Sequence, residues 1–357
     1  MTSTKRISHP DLLQFFRAVF NAVDVPPHVA EIEAEIGAEV DLCGVHSHGA
    51  QLLPMVVNAI QDGITNPDPK FEIIEERAAT VLADTRCGIG RYVSATGMDM
   101  AVGRAEEYGI GAVAIRGVAH WGRGHSYALR AARAGMIGIA FTNTISNFPA
   151  WGTGEPSLGN NPMAMGVPAG DQEPVVLDIA MTQTAIGTIM SKAAAGERVP
   201  SGWGLDADGN PTDDPNAILE SRRFQPMGEH KGSGLSFMIE LLTAGLANGL
   251  LCQEQGKDGH PTDSLGGSTK LFIAIRPFGD WLGSRVESLK NHLKSASPFP
   301  DQGEAKWPGE GSFRRRQDFE ENGIALPDTL ANELDELAGE LSIQINWQTC
   351  GEGQFVS

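Results

Sequence analysis

The chain has 357 residues, and 27 Lys+Arg against 45 Asp+Glu leave a net charge of −18 before histidines are counted, which argues against nucleic acid as a partner because phosphate recognition needs a basic face. An apolar fraction of 41% with 20% charged residues excludes a disordered chain, and the length favours two domains or one large interleaved body, since single cores stop growing near ~250–300 residues. Glycine is the outlier at 43 residues, where usage of roughly 7% would give about 25, so many tight loops are expected.

The opening segment MTSTKRISHPDLLQFF has no uninterrupted apolar core and no small-residue cleavage site. No secretory signal is expected, and the chain is expected to be cytoplasmic. Ser8 caps a first helix with Pro10 in its first turn and apolar Leu12, Leu13, Phe16, Val19 and Phe20 at spacings of three and four. A second helix runs from Pro27 through Ile32, Ile36 and Val40 to a stop at Gly44. A third carries Leu52, Leu53, Val56, Val57 and Ile60 and ends near Gly63. From about residue 70 short strands alternate with helices: strands at 80–83, 112–115, 137–142, 174–178 and 270–275, helices at 94–108, 126–134, 184–195, 232–250 and 328–341. The longest apolar run, Ser236 to Leu251, contains Glu240 and Asn248 and falls short of the ~20 residues of a membrane span, so no membrane partner is expected. Cys43, Cys87, Cys252 and Cys350 lie far apart with no C-x-x-C and read as reduced thiols. Texture sets domain edges near 70 and 300.

Two glycine loops compete for attention. Gly109-Ile110-Gly111-Ala112-Val113-Ala114 fits G-x-G-x-x-A, but a helix precedes it and a strand follows, the reverse of a dinucleotide fingerprint, so it reads as a helix stop. The next loop has the right polarity. The 112–115 strand runs into Gly117-Val118-Ala119-His120-Trp121-Gly122-Arg123-Gly124-His125 before a helix. Helix-start N–H groups, glycines and Arg123 together suit an anion; the alternative is a glycine-rich connection with solvated Arg and His.

His46, Ser47 and His48 sit between a helix stop and a helix start, beside Gly49. An imidazole next to a hydroxyl suits proton transfer near neutral pH, while the plainer reading makes Ser47 a helix cap and the histidines ordinary loop residues. G-x-S-x-G is absent, which argues against a nucleophilic serine. His46, His48, His120 and His125 are the rival metal set, but no H-E-x-x-H or paired carboxylate motif supports them and no metal is expected. Asp206 and Asp208 lie in a turn, because Gly209 arrives too early for a calcium loop.

In chain order, Ser47-His48-Gly49, His120-Trp121-Gly122, Leu158-Gly159-Asn160-Asn161-Pro162, Asp178-Ile179-Ala180 and His230-Lys231-Gly232-Ser233-Gly234-Leu235 together resemble the malate/L-lactate dehydrogenase family over nearly the whole chain. The resemblance implies an α/β fold with a mixed, largely antiparallel, non-Rossmann sheet in a nucleotide-binding domain over 71–300. It further implies a helical domain in which 301–357 packs back on 1–70, the part carrying Ser-His-Gly. The implied assembly is a homodimer with its active site between domains. The implied chemistry is NAD- or NADP-dependent hydride transfer, the cofactor choice open, with a small 2-oxo or 2-hydroxy acid, a related carbonyl or a cyclic imine.

Position by position, the resemblance makes His48 the general acid/base and Ser47 its orienting partner. It sets His120, Trp121, Gly122, Arg123, Gly124, Asp178, Ile179, Ala180, His230 and Lys231 against the dinucleotide, and Asn161 against the substrate. The family usually continues Ser-His-Gly-x-x-Arg, its arginine holding the substrate carboxylate; here that place is Leu52, which cannot form a bidentate charge-assisted pair. Either Arg123 or His46 supplies a displaced anchor, or the substrate has no carboxylate at that end. Arg314-Arg315-Arg316 reads as a solvated helix face or as a contact to a 2'-phosphate. The alternatives to an active dehydrogenase are a catalytically weakened nucleotide- or metabolite-binding relative and a metal-dependent hydrolase.

Overall fold

The computed structural model describes residues 4–298 and 303–348. The chain divides into two compact units, one formed by 1–63 with 309–357 and the other by 64–308.

The first unit is mainly helical. Ser8 Oγ accepts from Asp11 N (3.1 Å) and caps the His9–Ala22 helix, whose Leu12, Phe15, Phe16, Val19 and Phe20 are buried. Each of these contributes about 1.5–3 kcal/mol relative to remaining in water, and together they fix this helix against Pro27–Leu42. Leu53–Gln61 follows. The expected helices are present. Missing from the sequence reading was the strand Thr4–Ile7, which pairs antiparallel with Ile324–Pro327 and so binds the two ends of the unit together. The Arg314-Arg315-Arg316 run lies on the Glu310–Asn322 helix and is engaged within this unit. Arg314 pairs with Glu310 (2.6 Å), Arg315 Nε donates to the Cys43 carbonyl (2.9 Å), and Arg316 reaches Glu320 (2.9 Å) and Glu39 (3.3 Å).

The second unit is built on a seven-stranded mixed sheet in the order 72–77, 80–88, 110–118, 268–275, 137–142, 163–169 and 172–179. Thr80–Gly88 and Ile110–Val118 run parallel, joined by the Gly90–Tyr108 helix; the other neighbouring pairs run antiparallel. Gly109, at φ 83°, closes that helix in the left-handed region and leads directly into a strand, so the G-x-G-x-x-A stretch is a helix stop. Register then decides where the functional loops fall. Val118 faces Ser268, Lys270 faces Thr142, Phe141 faces Met163, and Met163 faces Ile179. The segments around 118–124, 142–144, 161–163, 178–180 and 268–270 therefore meet at one end of the sheet, although up to 150 residues separate bonded partners there.

Candidate active site

In the first unit, Gly44, at φ 73°, follows the end of the Pro27–Leu42 helix, and His46–His48 and Ala50–Leu52 form two short 3-10 turns. Ser47 Oγ lies 2.9 Å from His48 Nδ1, so the hydroxyl addresses one ring nitrogen and leaves Nε2 on the far side of the ring. Beneath the turn is Asp41, whose side chain has no exposed surface. Its Oδ2 accepts from Ala50 N (2.7 Å) and its Oδ1 lies 2.8 Å from His46 Nδ1. A Cβ on Gly49 would stand 2.3 Å from Asp41 Oδ2, so the turn approaches the carboxylate only because glycine is there. Asp41 escaped the sequence reading because an acidic residue near a helix end looks like a solvated one. Leu52 is half-buried at the end of the second turn.

In the second unit the loop after Ile110–Val118 is packed rather than open. Trp121 is 3% exposed and stacks on Tyr127 (centroids 5.2 Å apart) with Phe272 at 6.2 Å. The Tyr127 hydroxyl donates to the Trp121 carbonyl. Trp121 was expected to meet a ligand, but its ring is core, filling the space under the loop. Gly122, at φ 75°, turns the chain, and its N–H donates to His120 Nδ1 (3.0 Å), which sets the ring proton of a neutral His120 on Nε2. Gly124 opens the Gly124–Arg133 helix. His125 is buried, and Arg123 Nε donates to Asp178 Oδ2 (2.8 Å), both side chains less than 15% exposed. The picture of a solvated Arg and His in this loop is therefore corrected, and the charge of Arg123 is already matched by a carboxylate.

Asn161 also takes a different place. Expected against the substrate, it is fully buried at φ 23°. Its Nδ2 donates to Glu240 Oε2 (2.8 Å) and the Ser236 carbonyl (3.0 Å), and its Oδ1 accepts from Thr144 N (2.9 Å). Glu240 Oε1 accepts in turn from Asn143 Nδ2 (2.9 Å) and Cys252 N (2.8 Å). Burial holds the Glu240 carboxyl above the usual range, against the pull of these donors. Asn161 thus ties the segment after Thr142 to the His230–Glu240 helix. Ile179 is paired in the sheet, Ala180 follows it, and Met181 is tied to the start of the His230–Glu240 helix: Met227 N donates to the Met181 carbonyl (2.8 Å) and Gly232 N to the Met227 carbonyl (2.8 Å). His230 and Lys231 are exposed on that helix's first turn.

Another buried group lies under the loop. Lys270 Nζ donates to Ser268 Oγ (2.6 Å) and Thr142 Oγ1 (2.8 Å) and sits 5.1 Å from the Trp121 ring centre. Desolvation lowers its pKa to about 7, with Asp263 pulling the other way. Among the described residues no three His, Cys, Asp or Glu side chains converge to hold a metal ion, and no helix is long and apolar enough to cross a membrane.

This geometry can be set beside known proteins. The family described as malate/L-lactate dehydrogenase matches residues 7–335. The chain belongs to the malate/L-lactate dehydrogenase family. It is an oxidoreductase enzyme. A Delta(1)-pyrroline-2-carboxylate/Delta(1)-piperideine-2-carboxylate reductase of Pseudomonas putida is 31% identical over 94% of this chain and 97% of its own. A 2,3-diketo-L-gulonate reductase of Citrobacter koseri is 30% identical over 93% of this chain and 100% of its own. The crystal structure of a malate dehydrogenase from Entamoeba histolytica superposes with a TM-score of 0.90 at 29% identity, covering 96% of this chain and 99% of that one. The fold is accordingly the mixed α/β fold of dehydrogenases in this family.

Proposed function

We propose that this family member is a homodimer that interconverts a small carbonyl, hydroxy or cyclic imino compound using NADH or NADPH, with His48 handling the proton. The observation that carries the reading is the Ser47–His48 contact on a turn locked by buried Asp41. A bound nicotinamide supplies or accepts hydride at C4. Protonated His48 gives its proton to the substrate oxygen or nitrogen as negative charge develops, and neutral His48 takes it back in the oxidation direction. Ser47 holds the Nδ1 side, so the Nε2 side meets the substrate.

The second unit has donors suited to an anionic dinucleotide. His120 presents Nε2–H when neutral, Lys231 is an exposed ammonium, and no side chain caps the start of the Gly124–Arg133 helix. A Cβ on Gly124 would approach Ala164, Trp121 and Asp178 to 3.1–3.4 Å, which favours bare backbone at that helix start. Gly122 provides the turn, Arg123 and Asp178 brace each other, and Ile179 and Ala180 lead to His230 and Lys231. The sheet would then serve as the nucleotide-binding domain in its non-Rossmann form.

The names of the relatives support a substrate class of small 2-oxo acids and cyclic imino acids. At Leu52 a narrower reading is favoured. The two alternative anchors for a substrate carboxylate, His46 and Arg123, already carry Asp41 and Asp178. A substrate whose group at Leu52 is apolar or uncharged fits better than a simple 2-oxo acid.

Turnover of a carbonyl and imine panel with both nucleotides tests this. His48→Ala is expected to lower kcat by about 10²–10⁴-fold, the scale of general acid–base catalysis, with dinucleotide affinity by fluorescence titration near normal; full activity in that variant removes His48 from the chemistry. Leu52→Arg is expected to improve turnover of substrates with a carboxylate next to the reacting carbon. If it does not, the missing arginine is not what sets the preference.

A further inference from the structure

Under the loop that follows Ile110–Val118, a lysine occupies a place where burial favours an apolar side chain. Lys270 lies on the middle strand of the sheet and is 2% exposed. Leu271 packs with Ala114 and Ala247 on one face of that strand, while Lys270 and Phe272 lie with Trp121 on the other. Both hydroxyls that receive an N–H from Lys270 pass their own hydrogen to a main-chain carbonyl. Ser268 Oγ donates to the carbonyl of Val118 (2.6 Å), the last residue of the strand that leads into the loop, and Thr142 Oγ1 donates to the Asn143 carbonyl (2.9 Å). A hydroxyl whose hydrogen is committed can only accept from its next partner, and the lysine supplies that donor twice. The Trp121 ring, 5.1 Å from Nζ, offers its π face to the same charge. His120 N donates to the Ser264 carbonyl (3.2 Å), so the loop is tied at a second point to the segment leading into this strand.

We propose that Lys270 is the positioning residue of the dinucleotide loop, its ammonium fixing the backbone from Val118 to Gly122 and, through it, the direction of the His120 Nε2–H donor. The proposal rests on the reading above that this loop holds the dinucleotide. Stability gives no reason for a lysine here. A buried ammonium gives up hydration that its partners return only in part, and an apolar side chain of similar length would fill the space at less cost. What the ammonium adds is direction. A methionine would press on the Trp121 ring equally well but would leave the Ser268 and Thr142 hydroxyls without their donor, so that the bond to Val118 loses its fixed orientation. Any shift of this backbone reaches the imidazole, because the Gly122 N–H is committed to His120 Nδ1 (3.0 Å). Charge acts in the same sense. In a chain of net charge −18, a positive group in the low-dielectric interior under the loop favours an anion there.

The test is fluorescence titration of the full chain with NADH and NADPH at pH 6, below the lysine's pKa of about 7. Lys270→Met is expected to weaken dinucleotide binding by at least about 10-fold, the scale of one charge-assisted hydrogen bond, while kcat at saturating nucleotide on a substrate from the panel stays near normal. Thr142→Val removes one arm of the cluster and is expected to weaken binding about two- to tenfold. Thr142→Ser, which keeps the hydroxyl, is expected to bind like the wild type. Leu271→Ala, on the opposite face of the same strand, destabilises the sheet without touching the cluster and is expected to keep its affinity. Urea transitions show which variants are folded; if Lys270→Met is not, the Thr142 pair decides. A wild type that binds neither nucleotide, or a His120→Ala variant that binds as tightly as the wild type, overturns the reading of the loop and this role with it. Weakened binding in His120→Ala with full affinity in folded Lys270→Met overturns the role of Lys270 alone. Equal losses in Thr142→Val and Thr142→Ser, or in Lys270→Met and Leu271→Ala, show packing rather than positioning and overturn it too.

Discussion

The turn that carries Ser47 and His48 is held by hydrogen bonds to one buried carboxylate, whereas the loop from Gly117 to Gly124 is held by packed aromatic rings with a buried ammonium beneath them. Directional bonds suit a group that must present one nitrogen in one orientation. Packing suits a loop whose backbone must stay in place. The two devices also fail differently: the first on loss of a single acceptor, the second on loss of volume.

The largest effect should come from the packed region. Trp121→Ala removes the ring that fills the space under the loop and is expected to lower unfolding free energy by about 3–5 kcal/mol, read from urea denaturation; a change below about 1 kcal/mol would mean that packing does not hold this loop. Asp41→Asn should act more locally. It removes a buried charged acceptor at a cost of about 1.5–3 kcal/mol and lets the His48 turn shift, so kcat is expected to fall by up to about 100-fold while dinucleotide affinity holds. Loss of affinity in step with kcat would show that the two regions are not separately built.

Lys270 sharpens the contrast through pH. Its folded pKa near 7 lies below the ordinary lysine value, so between about pH 7 and 10.5 the unfolded chain binds more protons and this group makes stability rise with pH; the contribution is lost as pH falls through 7. Asp263, raised by burial, acts in the opposite sense at the acid end. Lys270→Met should flatten the dependence, by at most about 1.4 kcal/mol per pH unit, in denaturation series at pH 6 and 9 on both chains. Equal slopes would remove Lys270 as its source. Smallest is Ser47→Ala, expected to cost about 0.5–1.5 kcal/mol in kcat/KM, roughly a two- to tenfold loss; no loss would leave His48 oriented by the backbone alone.

The parts of this architecture legible in sequence are those whose causes are local. Ser8, Pro10 and the apolar spacing behind them mark the first helix, and Gly109 marks the end of another. The strand Met163–Ala169 escaped because its Met, Ala, Gly and Pro residues carry little β signature. The Leu282–Ser295 and Glu310–Asn322 helices escaped because their polar composition hides the period. In the site, Ser47 and His48 stand out as neighbours in the chain, while the groups that surround the candidates do not. Glu240 meets Asn143 from 97 residues away, and Lys270 meets Thr142 from 128. Trp121 and Asn161 were legible as positions but not as interior side chains, since burial is a property of the assembled sheet.

The helical unit is made from the two ends of the chain, joined by the ribbon of Thr4–Ile7 with Ile324–Pro327. A ribosome delivers these ends with the 245 residues of the sheet unit between them, an interval of roughly 12–50 s at about 5–20 residues per second. The His9–Ala22 and Pro27–Leu42 helices emerge early and must wait for their last strand. The order of synthesis thus makes the sheet unit the first to be completed, and a chain that stops between residue 308 and Ile324 lacks the partner of a strand already made.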